Sequence, residues 1–108
     1  MKKPIIDCAA HKEQIEAMIS RFCLNDDSET VMSDNQEWKI ERGNSFIIAR
    51  IYHNDIPVCH FISGMPHINF VPLKIEYLFV AQIASDTIKR HYKHIKCTVI
   101  GDISEGDS

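Results

Sequence analysis

Hydrophobic and polar positions change their period several times along this chain, and each change marks an element. Ile15, Met18, Ile19, Phe22 and Cys23 follow the i, i+3, i+4, i+7, i+8 rule. That spacing gathers them on one stripe of a helix, with Lys12, Glu13, Glu16 and Arg21 mostly off it. The pattern predicts a helix over 7–24, with Cys8 in its first turn. Asp7 is the candidate N-cap, because its carboxylate can accept a bond from an unpaired first-turn amide. Residues 25–28 (NDDS) prefer turns and end it.

The period then disappears. Residues 25–37 hold Asp26, Asp27, Glu29, Asp34 and Glu37 and no base, which predicts a mobile acidic loop with a short contact through Val31 and Met32. From Trp38 the period becomes two. Trp38 and Ile40 point one way, Lys39 and Glu41 the other. Gly43-Asn44 reads as a tight turn. Residues 45–53 (SFIIARIYH) are apolar on nearly both faces, as a central strand would be. Residues 54–57 (NDIP) read as the next turn, with Pro57 at a strand start, where a missing amide costs least. Residues 58–63 (VCHFIS) form a third strand that ends at Gly64-Met65-Pro66.

Residues 67–72 (HINFVP) fit either a short edge strand or an extended lead-in. Pro72 biases Val71 away from helical geometry, so a second helix is expected over 73–94. Leu73, Tyr77, Val80, Ala84, Thr87, His91 and Ile95 lie on one stripe, while Ile75, Leu78, Phe79 and Ile83 widen the apolar face. A last strand begins near Cys97, and 104–108 read as a frayed tail. The expectation is one α+β domain over 1–103: a helix, a three-stranded antiparallel meander, a long helix and a final strand, both helices on one face of the sheet.

Composition changes little in this picture. The chain has 108 residues, 44% apolar and 25% charged, which suits one domain with its own core. A net charge of −3 argues against a nucleic-acid partner. No apolar run reaches the roughly 20 residues that cross a bilayer as a helix. Cys8, Cys23, Cys59 and Cys97 are scattered, and Asp7, His11, Lys12 and Glu13 interrupt any export signal early. The expected compartment is the cytoplasm, with reduced thiols.

Candidate chemistry concentrates in 89–97 (KRHYKHIKC). Lys89, Arg90, Lys93 and Lys96 fit the end of a helix, where cations meet unpaired carbonyls. An anion patch on those four side chains is the sharper alternative. His91, His94 and Cys97 give three candidate ligands, but a structural zinc site wants four, and Cys59 and His60 would have to come from afar. No metal and no cofactor is expected. Cys59 and His60 are adjacent, so on a strand they point to opposite faces and make a poor nucleophile–base pair. No phosphate-cradling loop or catalytic motif appears, and no catalytic residue is assigned.

The apolar girth of the second helix exceeds what one sheet face needs. Leu73, Tyr77, Leu78, Phe79 and Val80 are therefore the candidate partner or dimer interface. In element order the chain resembles small acidic chaperones that escort bacterial secretion substrates, and small inhibitors of phage type; no residue motif carries either likeness. The leading expectation is a non-enzymatic accessory protein that binds another protein and is itself a homodimer. The alternative is a small-ligand module or minor enzyme, its pocket between second helix and sheet lined by Phe46, Tyr52, His60, Tyr77 and His91.

Overall fold

A computed structural model describes residues 8–25, 27–33, 35–44, 46–63 and 67–100. The proposed cap at Asp7, the turn at Gly64-Met65-Pro66 and the tail lie outside them. Helix α1 spans Cys8–Asn25 and is followed by β1 (Glu29–Ser33), β2 (Gln36–Arg42), β3 (Ile47–His53), β4 (Ile56–Ser63) and β5 (His67–Pro72). A single 3-10 turn (Ile75–Tyr77) leads into α2 (Leu78–His91), and β6 (Lys96–Val99) closes the order.

The strands form one mixed sheet in sequence order, β1 to β6. The first five make an antiparallel meander, and β6 joins β5 in parallel. The sheet is thus twice as wide as a three-stranded meander. Residues 67–72 form an interior strand between β4 and β6, with Phe70 fully buried.

The acidic stretch is the larger departure. Instead of a loop, it holds β1 and the start of β2, with Val31 opposite Trp38. Hairpin geometry and side-chain bonds hold it, since it has few apolar side chains to bury. Asn35 takes φ 63° in the turn between Ser33 and Gln36, a conformation asparagine tolerates better than most residues. Arg21 Nε on α1 lies 3.1 Å from Glu29 Oε1, and Asn25 Nδ2 donates to Glu29 Oε2 at 3.3 Å. The Ser28 hydroxyl accepts the Arg42 amide at 3.2 Å.

The β3–β4 hairpin uses Asn54 (φ 52°) and Asp55 (φ 70°). Two left-handed residues in a row match the twist of the flanking strands, as in a type I′ turn. Helix α2 is shorter than its apolar stripe. Lys74 is extended (φ −143°, ψ 150°), and Tyr77 at φ −105°, ψ 15° separates the 3-10 turn from α2. At the other end Tyr92 leaves helical geometry, although its amide still bonds Ile88 O at 2.8 Å.

Both helices pack on one face of the sheet. Ile15, Met18, Ile19 and Phe22 of α1, and Val80, Ala81, Ile83, Ala84 and Ile88 of α2, meet the inward side chains of β2 to β5. Those inward positions include Trp38, Ile40, Ala49, Ile51, Cys59, Phe61 and Phe70. Strand parity sends their neighbours to the opposite face, where no described helix lies. There Lys39 sits 3.6 Å from Glu41 and 5.0 Å from the Tyr52 ring centroid, and Arg50 lies opposite both Glu41 and His60.

Candidate binding surfaces

Three places on this frame carry chemistry: a buried polar cluster, an exposed apolar corner beside it, and a cavity at the far end of α2. The cluster forms because parity makes His53 the third inward residue of β3, after Ala49 and Ile51. His53 is 8% exposed, and its ring stacks on Trp38 with centroids 4.2 Å apart and planes 18° apart. Its Nε2 lies 2.6 Å from Gln36 Oε1, and its Nδ1 lies 2.9 Å from the Tyr77 hydroxyl. Asn54 Nδ2 also donates to Gln36 Oε1, at 3.2 Å. Asn54 Oδ1 accepts from the Glu37 amide at 2.8 Å, which turns Nδ2 toward Gln36 and marks the facing atom as the amide oxygen. Nε2 therefore carries the proton, and Nδ1 accepts from Tyr77.

His11 of α1 approaches the same indole, at 5.7 Å between centroids. Burial, and then the charge His11 carries when protonated, hold the His53 imidazole below its ordinary value of 6.5. Trp38 Nε1 and Gln14 Oε1 are buried without a hydrogen-bond partner among the described residues, so packing alone seats the indole. His53 is therefore a structural group, with both its imidazole nitrogens committed.

Outside the cluster the chain turns apolar side chains to water. Leu73 is 42% exposed, Ile75 71% and Ile56 54%. They share one corner: Leu73 N bonds Val58 O, Ile56 lies opposite His53, and His53 bonds Tyr77. Of the five residues expected at an interface, Leu73 belongs to this corner, while Leu78 and Phe79 are half-buried at the start of α2, Phe79 packed against the core. Tyr77 and Val80 are 9% and 0% exposed, because the first turns of α2 direct them at the sheet and the His53 cluster.

The cavity has a volume of about 430 Å³. Phe22 and Cys23 of α1, Ile48, Phe61 and Ile68 of the sheet, and Ile88 of α2 line it. The turn after α2 closes one side with Tyr92 and Ile95, and the Tyr92 hydroxyl is tied to the Cys23 carbonyl at 3.2 Å.

The residues expected to line a pocket occupy separate places. Tyr52 and His60 lie on the open sheet face, while Tyr77 and His91 lie on the helix side. Phe46 is 63% exposed before β3. His91 Nε2 is 3.2 Å from the Ser20 hydroxyl of α1.

The cations of 89–96 also diverge. Arg90 turns to α1, 3.6 Å from Glu16 Oε2 and 3.5 Å from Thr87 Oγ1. Lys89 lines a small polar hollow with Asp86, Ser85 and Cys97. Lys96 alternates with the inward Cys97, and Lys93 is exposed in the turn between α2 and β6. Lys89, Arg90 and His91 nonetheless occupy the last turn of α2, where they oppose its dipole.

Among the described residues no three His, Cys, Asp or Glu side chains gather around a point where a metal ion could sit. Burial pushes the Cys59 thiol up to about 12 and the Cys23 thiol up to about 11, so neither supplies thiolate near neutrality. No helix among the described residues is long and apolar enough to cross a membrane. No protein-family model, curated protein or solved structure matches the chain.

The sequence pattern leaves His53 at the end of the central strand with no role of its own and gives Tyr77 two other roles. The parity of Ala49, Ile51 and His53 was the signal that would have turned this imidazole inward.

Proposed function

We propose that this chain is a small non-enzymatic accessory protein of the cytoplasm that works by binding other polypeptides, its first partner being a second copy of itself. The observation that carries the reading is Ile75, 71% exposed in the same corner as Leu73 and Ile56. Clustered apolar side chains facing water mark interaction sites more often than scattered ones do. A second copy suits this corner by charge as well. Lys74 and Glu76 flank Ile75, both exposed, so a two-fold pairing centred on Ile75 sets the lysine of each copy against the glutamate of the other. The engagement of both His53 nitrogens and the raised thiols of Cys23 and Cys59 support binding over catalysis.

Sedimentation velocity tests this. The wild-type chain is expected to sediment as a dimer at micromolar concentration. The double variant Leu73→Asp/Ile75→Asp is expected to be monomeric yet folded, with a native circular dichroism spectrum and a melting temperature that, unlike the wild type's, does not rise with protein concentration. Phe46→Asp, at an exposed site elsewhere, is expected to remain dimeric. A wild-type monomer at high micromolar concentration overturns the reading.

A further inference from the structure

The cavity between the ends of the two helices lies at the opposite end of α2 from the Leu73–Ile75 corner, so it is independent of the pairing proposed there. Its lining is aliphatic and aromatic on three sides: Phe22 from α1, Ile48, Phe61 and Ile68 from the sheet, Ile88 from α2. Cys23 adds a thiol that burial keeps protonated and unreactive. The hollow is partly open to solvent; for scale, a closed apolar cavity of ~150 Å³ is known to take up one benzene. By that scale a volume of about 430 Å³ accepts roughly 17 non-hydrogen atoms.

The charge around it is not symmetric. The turn that supplies Tyr92 and Ile95 to the wall carries Lys93 and His94 between them, both exposed. Neither has an ion-pair partner among the described residues, whereas Arg90, one turn earlier, is held by Glu16. An apolar interior beside a lysine ammonium and an imidazole that can donate a hydrogen bond matches a molecule with an apolar tail and an anionic head. We propose that this cavity binds a single-chain amphiphile with a carboxylate head, a saturated fatty acid anion of about ten to fourteen carbons, tail inward and head at Lys93 and His94.

Isothermal titration of the full chain with sodium decanoate, dodecanoate and tetradecanoate, each below its micelle threshold, tests this. Binding is expected at one site per chain. Affinity should rise about fourfold per added methylene and level off once the tail fills the cavity. Dodecyltrimethylammonium, with the same tail and the opposite head, should bind at least tenfold more weakly. Ile95→Trp, which pushes an indole into the cavity from the turn, should abolish dodecanoate binding with an unchanged circular dichroism spectrum. Lys93→Glu, wholly at the surface, should weaken dodecanoate and strengthen the cationic probe, and it decides the matter even where Ile95→Trp does not fold. Three results overturn the proposal: no saturable binding of any of the three anions; an affinity that keeps rising with chain length at several molecules per chain, which is adsorption; or a Lys93→Glu variant that treats both head groups as the wild type does. Leu73→Asp/Ile75→Asp should bind dodecanoate like the wild type, which separates this site from the dimer.

Discussion

Replacing Tyr77 by phenylalanine removes one oxygen and keeps the ring. The hydroxyl lies 2.9 Å from His53 Nδ1, and both residues are nearly enclosed, at 9% and 8% exposure. Gln36 and Asn54 fix Nε2 as the protonated nitrogen, so the variant leaves a buried lone pair on Nδ1 with nothing to accept from. An unsatisfied buried acceptor costs about 1–3 kcal/mol, and no cavity term adds to it because the aromatic volume is unchanged. At the scale of this domain each kcal/mol moves the melting temperature by about 4–8 °C.

The pH dependence sharpens the test. The folded-state value of His53 lies below 6.5, with burial the first cause. As pH falls through about 6.5 the unfolded chain takes up a proton that the folded chain refuses, so stability falls until the folded value is reached. In the wild type the Tyr77 oxygen can turn to accept from a protonated Nδ1. In Tyr77→Phe it cannot, so the folded value drops further and the loss continues to lower pH. The destabilisation by Tyr77→Phe should therefore be larger near pH 5 than near pH 8. Urea titration read by the fluorescence of Trp38, the chain's one tryptophan and 0% exposed, measures both. A penalty below about 0.5 kcal/mol near pH 8 would refute the hydrogen-bond argument, and a penalty that shrinks on acidification would refute the assigned tautomer.

Two further outcomes follow from the core. Phe70 is fully buried in β5 and meets Phe61 edge-on at 4.7 Å, so Phe70→Ala should cost about 3–5 kcal/mol in urea denaturation; a loss under about 1.5 kcal/mol would contradict an interior β5. Cys59, 0% exposed with its thiol raised to about 12, should be alkylated by iodoacetamide only at the rate of global unfolding, and rapid labelling of the native chain would show that β4 opens locally.

How far the sequence could be read depended on what holds each element. Helix α1 and strands β2 to β4 announce themselves because an apolar period drives their burial: Ile15, Met18 and Ile19 in one case, Trp38 and Ile40 in another. Strand β1 has no such period. It exists through its ladder with β2, a positive-φ asparagine at 35, and Arg21 reaching across to Glu29. Those terms depend on a neighbour being present, and composition does not display them. The start of α2 misled for the opposite reason. Leu73, Tyr77 and Val80 keep helical spacing, yet Lys74 is extended and the true helix begins only at Leu78.

The binding surfaces were less legible than the fold. Tyr52 and His60 looked like pocket residues by type, but strand parity turned them to the face away from α2. The cavity depends on how the last turns of two helices diverge over Phe61 and Ile68, and on a four-residue turn that folds back beneath them. That is a property of tertiary placement, with no local signature.

The parallel attachment of β6 bears on the order in which the molecule assembles. Each hairpin of the meander brings together residues close in sequence, and such contacts form early because little chain entropy is lost in closing them. Lys96 meets His67 only after the whole of α2 has been threaded between them. The last strand should therefore dock late in folding, and until it does, the backbone of β5 stands as an open ladder that a nascent neighbouring chain can occupy first.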